Sequence, residues 1–142
     1  MTPRYDTLMA LIDAWKGGDL EGALAHMADD IVWHYAAAIA PPITGKKAAR
    51  RFLERFAAEA RDVDWRITHH AESADRLFVE GVDDYTDPAG RRVATAYAGV
   101  LEFRGALITG WRDYFDLGVV EAQKAGQPRS AWLSALIAGT AG

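Results

Sequence analysis

The chain contains no cysteine, which removes disulfides, thiolate nucleophiles and cysteine-ligated metals together. Its four histidines do not supply a metal site instead. His69 and His70 are neighbours on an extended segment and point to opposite faces, His26 stands alone on a helical stretch, and His34 lies between two aromatic residues. No His-x₃-His spacing occurs, so no metal is expected. Charge of one sign is also scarce. Sixteen basic and 20 acidic residues leave a net charge of −4, and the densest basic cluster (Lys46, Lys47, Arg50, Arg51 and Arg55) is offset by Glu54 and Glu59. Phosphate binding needs a concentrated positive face, so nucleic acid is not an expected partner. The longest apolar patch near the end, Ala131 to Ala138, is far too short to cross a bilayer. Met1 to Asp13 lacks a basic start followed by a long apolar run. The expectation is a cytoplasmic protein with no membrane association. Neither a Gly-x-Ser-x-Gly elbow nor a phosphate-binding glycine loop is present, which argues against a serine hydrolase or a nucleotide enzyme.

What remains is a chain of 142 residues, half of them hydrophobic, enough for one domain with a real core. Leu8, Leu11, Ile12 and Trp15 recur at helical spacing between Tyr5 and Lys16. Gly17-Gly18 breaks that helix, and Asp19 can cap a second one carrying Leu20, Ala23, Leu24 and Met27. Ile31 to Tyr35 is a strand by composition, Ala36 to Pro42 a loop, and Thr44 or Gly45 opens a third helix with Ala48, Phe52, Leu53 and Phe56 on its buried side. From Asp62 the period changes. Val63–His70, Arg76–Tyr85, Arg91–Phe103 and Ala106–Leu117 read as strands, with turns at Asp87-Pro88-Ala89-Gly90 and Arg104-Gly105. Three helices and then a run of strands predict an α+β arrangement: a cone of three N-terminal helices packed on a strongly curved, mainly antiparallel sheet that encloses a pocket. Residues 1–124 would form this domain. In the tail, 125–142, Ala131–Ala138 is a small apolar segment that could cover the pocket mouth, meet a second subunit or pack on the surface.

One stretch organises the reading. In Ile108-Thr109-Gly110-Trp111-Arg112-Asp113-Tyr114-Phe115-Asp116-Leu117, alternation places Trp111, Asp113, Phe115 and Leu117 on one face of a strand. That face is apolar except for one carboxylate. A buried acid needs a partner or a purpose: Asp113 either pairs with a cation or backbone donors, or forms the polar floor of an apolar pocket.

The segment "ITGWRDYFDL" resembles the final strand of the limonene-1,2-epoxide hydrolases, within the nuclear-transport-factor-two-like superfamily that also holds ketosteroid isomerase and the SnoaL-like polyketide cyclases. The helix-helix-strand-"PPITG"-helix opening is similar to the superfamily as a whole. The resemblance implies that Asp113 takes a proton from water. It implies also that Asp83, in Glu80-Gly81-Val82-Asp83, matches the acid that protonates the epoxide oxygen. The family's arginine between the two carboxylates is here Gly81, a departure that leaves both acids without a cation and is expected to widen the pocket by a whole side chain. Arg66 and Arg92 are possible substitutes if the strand registers allow, whereas Arg112 should face away. The family's water-holding tyrosine and asparagine correspond to Trp33 and Tyr35, so Tyr35 is a water-positioning candidate or, with Trp33, a wall residue. Ketosteroid isomerase chemistry is not supported, because its base falls at Tyr35 and its first-helix tyrosine at Leu11.

The expected cavity is lined by Trp33, Tyr35, Asp83, Tyr97, Trp111, Asp113 and Phe115, with Leu11 and Trp15 closing the other side. Five tryptophans and five tyrosines suit a small hydrophobic molecule. The leading expectation is cofactor-free, epoxide-hydrolase-like acid–base catalysis by Asp113, Asp83 and Tyr35. The alternatives are SnoaL-like cyclase or isomerase proton transfer, and a non-catalytic hydrophobic-ligand module. A homodimer through the outer sheet face is the expected assembly.

Overall fold

A computed structural model describes residues 3–139. Helices α1 (Pro3–Lys16), α2 (Leu20–Leu24) and α3 (Lys46–Glu59) pack on a six-stranded sheet. Its strands are β1 (Met27–His34), β2 (Ile43–Thr44), β3 (Arg66–Ser73), β4 (Arg76–Thr86), β5 (Arg92–Arg104) and β6 (Leu107–Tyr114), in the spatial order β2-β1-β6-β5-β4-β3. All neighbouring strands are antiparallel except β1 and β6. The register slips in β1, β3 and β5, and such irregularities add the local bend that curls a sheet around a cavity. Leu8, Leu11 and Ile12 of α1 join Leu24, Ile31, Leu53, Leu77, Leu101, Ile108 and Trp111 in one core. The α+β cone read from the periodicities is thus the fold.

Several boundaries differ from the sequence reading for reasons of pairing. β1 begins at Met27, which pairs with Ile108, so Met27 belongs to the strand and α2 is a single short turn. Thr44, read as a possible helix start, instead forms a short strand with Ile43 on β1. Gly45 then caps α3 at φ 89°, a conformation glycine adopts without strain. In α3 it is Ala49, not Ala48, that is fully buried. β3 starts at Arg66, leaving Val63 and Trp65 in an irregular approach to the sheet. β6 stops at Tyr114, so Phe115 and Leu117 lie beyond the strand.

Two further helices follow, α4 (Leu117–Lys124) and α5 (Ala131–Ile137). Gln123 explains how α4 attaches. β6 pairs with β5 only as far as Ala98, which leaves the β5 edge at Ala94 without a strand. The Gln123 side chain supplies both missing bonds: Ala94 N donates to its Oε1 at 3.0 Å, and its Nε2 donates to Ala94 O at 2.7 Å. α5 packs Ile137 and Leu133 against Val82 and Ala94, on the face opposite the cavity. Part of the tail therefore covers the outer sheet face, where Val32, Phe78 and Tyr114 remain exposed.

Because Gln123 is buried and satisfies a donor and an acceptor at once, Gln123→Met should leave both unpaired. A loss of about 2–3 kcal/mol is expected, measured as a lower urea midpoint at unchanged slope.

Candidate active site

The inner sheet face carries two carboxyls. Asp113 on β6 is buried, and the indole Nε1 of Trp111, two residues earlier on the same face, donates to its Oδ1 at 3.0 Å. Its cross-strand partner on β5 is Gly99. A Cβ at Gly99 would lie 2.6 Å from Asp113 Oδ1, so the carboxyl occupies space that only a glycine leaves open. Asp83 projects from the same face of β4, opposite Thr95, and keeps part of its surface open to the cavity. Burial pushes Asp83 up to about 7. Asp113 is raised well above the usual carboxylate range, first by burial and then by the nearby Asp83 charge, against the opposing Trp111 hydrogen bond. Among the described residues no cation compensates either acid.

Behind the acids stands a stack of three indoles. Trp33 and Trp65 lie on either side of Trp111, with ring centroids 5.1 and 5.6 Å from it and interplanar angles of 20° and 23°. Each outer member does something different. Trp65 Nε1 donates to the Tyr97 hydroxyl at 2.6 Å, while Trp33 packs edge-on against Phe52 at 5.1 Å. The stack fixes the ring that holds Asp113.

A cavity of ≈ 470 Å³ opens above these groups. Trp33, Tyr35, Asp83, Asp113, Phe115 and Trp15 line it, as the sequence reading has them. Leu11, Tyr97 and Trp111 do not. Leu11 and Trp111 are fully buried in the core, and Tyr97 lies beneath the cavity wall. Phe52, Phe56, Trp65, Tyr85, Val120 and Lys124 are among the other residues that line it. The helical spacing of Phe52 and Phe56 was a visible signal for an inward face. Nothing local announced Val120 or Lys124, which depend on how α4 docks through Gln123.

The expected widening at Gly81 is not found. Gly81 faces Tyr97 across β4 and β5, and an added Cβ would meet two Tyr97 ring carbons at 2.8 Å and the Arg66 carbonyl oxygen at 2.6 Å. The tyrosine ring fills the space. Nor do the candidate arginines replace the missing one. Arg66 pairs with Asp64 and Asp84, and also donates to the Ile137 carbonyl. Arg92 reaches Asp84 at 2.7 Å, and Arg112 turns outward to Glu102 at 2.6 Å.

Comparison with known proteins shows the family and the fold. Residues 8–111 match the SnoaL-like domain model, and the chain belongs to that family. A protein of ketosteroid isomerase-like fold from Catenulispora acidiphila DSM 44928, solved in complex with trimethylamine, is 27% identical over 86% of this chain and 93% of its own, with a TM-score of 0.75. An LEH-like epoxide hydrolase of M. tuberculosis is 23% identical over 96% of both chains, also at 0.75. The Δ5-3-ketosteroid isomerase of a Mycobacterium sp. is 23% identical over 84% of this chain and 97% of its own, at 0.76. The last two share the fold.

The raised acids carry a stability signature with a definite sign. A carboxyl whose folded pKa exceeds its unfolded value binds more protons in the native state, so its contribution is present below the unfolded pKa and is lost as pH rises through the folded one. For Asp83 that window runs from the ordinary value of 3.8 to about 7. Urea unfolding at pH 4, 5.5 and 7.5 should show wild type losing about 2–3 kcal/mol relative to Asp83→Asn over this range, a figure reduced for the acid's partial exposure.

Proposed function

We infer that the protein is a cofactor-free acid–base enzyme that adds water to an epoxide on a small hydrophobic substrate. One observation carries this reading: two desolvated carboxyls share an apolar cavity with no cation between them. Such a pair resists double ionisation and retains one proton between its members, which provides one acid and one base in a single site. Opening an epoxide with water uses both. The water oxygen forms a bond to a ring carbon as the C–O bond breaks. The carboxylate takes the water's proton, and the carboxyl gives its own to the leaving oxygen, yielding a diol. Resemblance casts Asp113 as the base. Burial favours the reverse division in the resting protein, because Asp113 is the more enclosed of the two. Either way both acids are required, and Tyr35, at the cavity wall, is a water or substrate contact.

A second reading is a ligand-binding module for an organic amine. It draws on the trimethylamine complex of the Catenulispora relative and on the combination of aromatic walls with carboxyls in this cavity, which suits an alkylammonium.

A panel of cyclic and aryl epoxides assayed for diols decides between them. Turnover should rise with pH through an ionisation near 7 and then fall, and Asp113→Asn and Asp83→Asn should each lower kcat at least 100-fold in folded protein. No diol from any epoxide, together with calorimetric binding of trimethylamine, would leave the second reading standing.

A further inference from the structure

The two oxygens of Asp113 meet different surroundings. Oδ1 accepts from the Trp111 indole at 3.0 Å, and it lies only 2.6 Å from where a Cβ on Gly99 would stand. That oxygen is turned into the sheet surface. Oδ2 accepts no hydrogen bond from the described residues. Because Asp113 lines the cavity, Oδ2 is the oxygen presented to whatever enters. Donor and acceptor are both braced. Trp111 is fully buried, with its ring stacked between those of Trp33 and Trp65, and the Asp113 carbonyl oxygen accepts from Ala37 N at 2.9 Å.

We propose that Trp111 is the positioning residue of Asp113: its N–H claims Oδ1 and confines the carboxyl's proton traffic to Oδ2. The chemistry follows from the donor. An indole N–H donates and never accepts, so a hydrogen on Oδ1 would find no acceptor in the indole. A hydroxyl oxygen there would also accept less well than a carbonyl oxygen. The protonated acid therefore keeps Oδ1 as its carbonyl oxygen and carries its hydrogen on Oδ2. When Asp113 acts as base, an O–H bond of water breaks and the hydrogen joins Oδ2. The electron pair left on the water oxygen goes to the ring carbon. When Asp113 acts as acid, the Oδ2–H bond breaks and its hydrogen passes to the leaving oxygen. In both directions the reacting group has to approach from the Oδ2 side. Of the ionisable groups around the cavity, Asp83 on β4 is the one whose charge acts on Asp113. Asp84 is tied to Arg66 and Arg92, Asp87 accepts from Arg91 N, and the Tyr97 oxygen accepts from Trp65. Tyr35, Glu59, Tyr85 and Lys124 line the wall.

This inference rests on Asp113 acting in acid–base chemistry, but its test needs no substrate. Benzothienylalanine placed at position 111 keeps the two-ring side chain and puts sulfur where the N–H was, so it can stack but cannot donate. In infrared spectra of the full-length protein with Asp113 protonated, its C=O stretch is the band missing from Asp113→Asn. That band should move to higher wavenumber in the benzothienylalanine protein, because its oxygen has lost a hydrogen bond. Were the hydrogen on Oδ1, the C=O oxygen would be Oδ2 and the band would not respond to the indole. Carboxyl-carbon titration by ¹³C NMR should also show Asp113 ionising about one pH unit higher, a tenfold weaker acid. A Trp111 that only filled space would move neither. An unmoved C=O band in folded protein overturns the proposal. Should that protein not fold, a ring-fluorinated tryptophan at position 111, a stronger donor of similar shape, should lower the band, and an unmoved band there overturns the proposal equally. The expected shifts without epoxide turnover by wild type would support the role of Trp111 and count against the hydrolase reading.

Discussion

Two acids have to be kept in an apolar enclosure without a countercharge, and much of the interior is arranged around that requirement. Isolated carboxylates are expensive to bury, and here the cost is met by leaving protons in place rather than by recruiting a cation. The arginines near the site are engaged elsewhere: Arg66 and Arg92 with Asp84, Arg112 with Glu102. Indole N–H groups do the local work instead. They are weak, neutral donors, and they orient an oxygen without forcing it to ionise. Trp111 holds Asp113 and Trp65 holds Tyr97, with both indoles fixed by stacking in the same column.

Two glycines make this arrangement possible, and both act across strands. Gly99 yields space to Asp113, and Gly81 yields space to Tyr97. In each case a missing Cβ on one strand admits a polar side chain from its neighbour, so the polar groups sit inside the sheet's own surface and not above it. Substitution at either position would displace an acid or an aromatic ring while scarcely changing the composition of the site. The lesson for this fold is that its vacancies are as specific as its side chains.

That also explains which parts of the site could be read from the chain. Asp113 was legible because alternation sets it between Trp111 and Phe115, and both line up on one apolar face even though the strand itself ends at Tyr114. Asp83 followed by counting through two turns. Helices α1 and α3 announced themselves by period. What the chain hides is everything that depends on register between strands: Tyr97 lying on Gly81, Gly99 under Asp113, and β1 beginning at Met27 because it runs parallel to β6. The alternation rule placed Tyr97 and Trp111 on the correct face, yet could not tell a wall residue from one packed beneath it. Likewise, α4 reaches the cavity only because one glutamine amide imitates a missing strand, a relation with no local sequence signature.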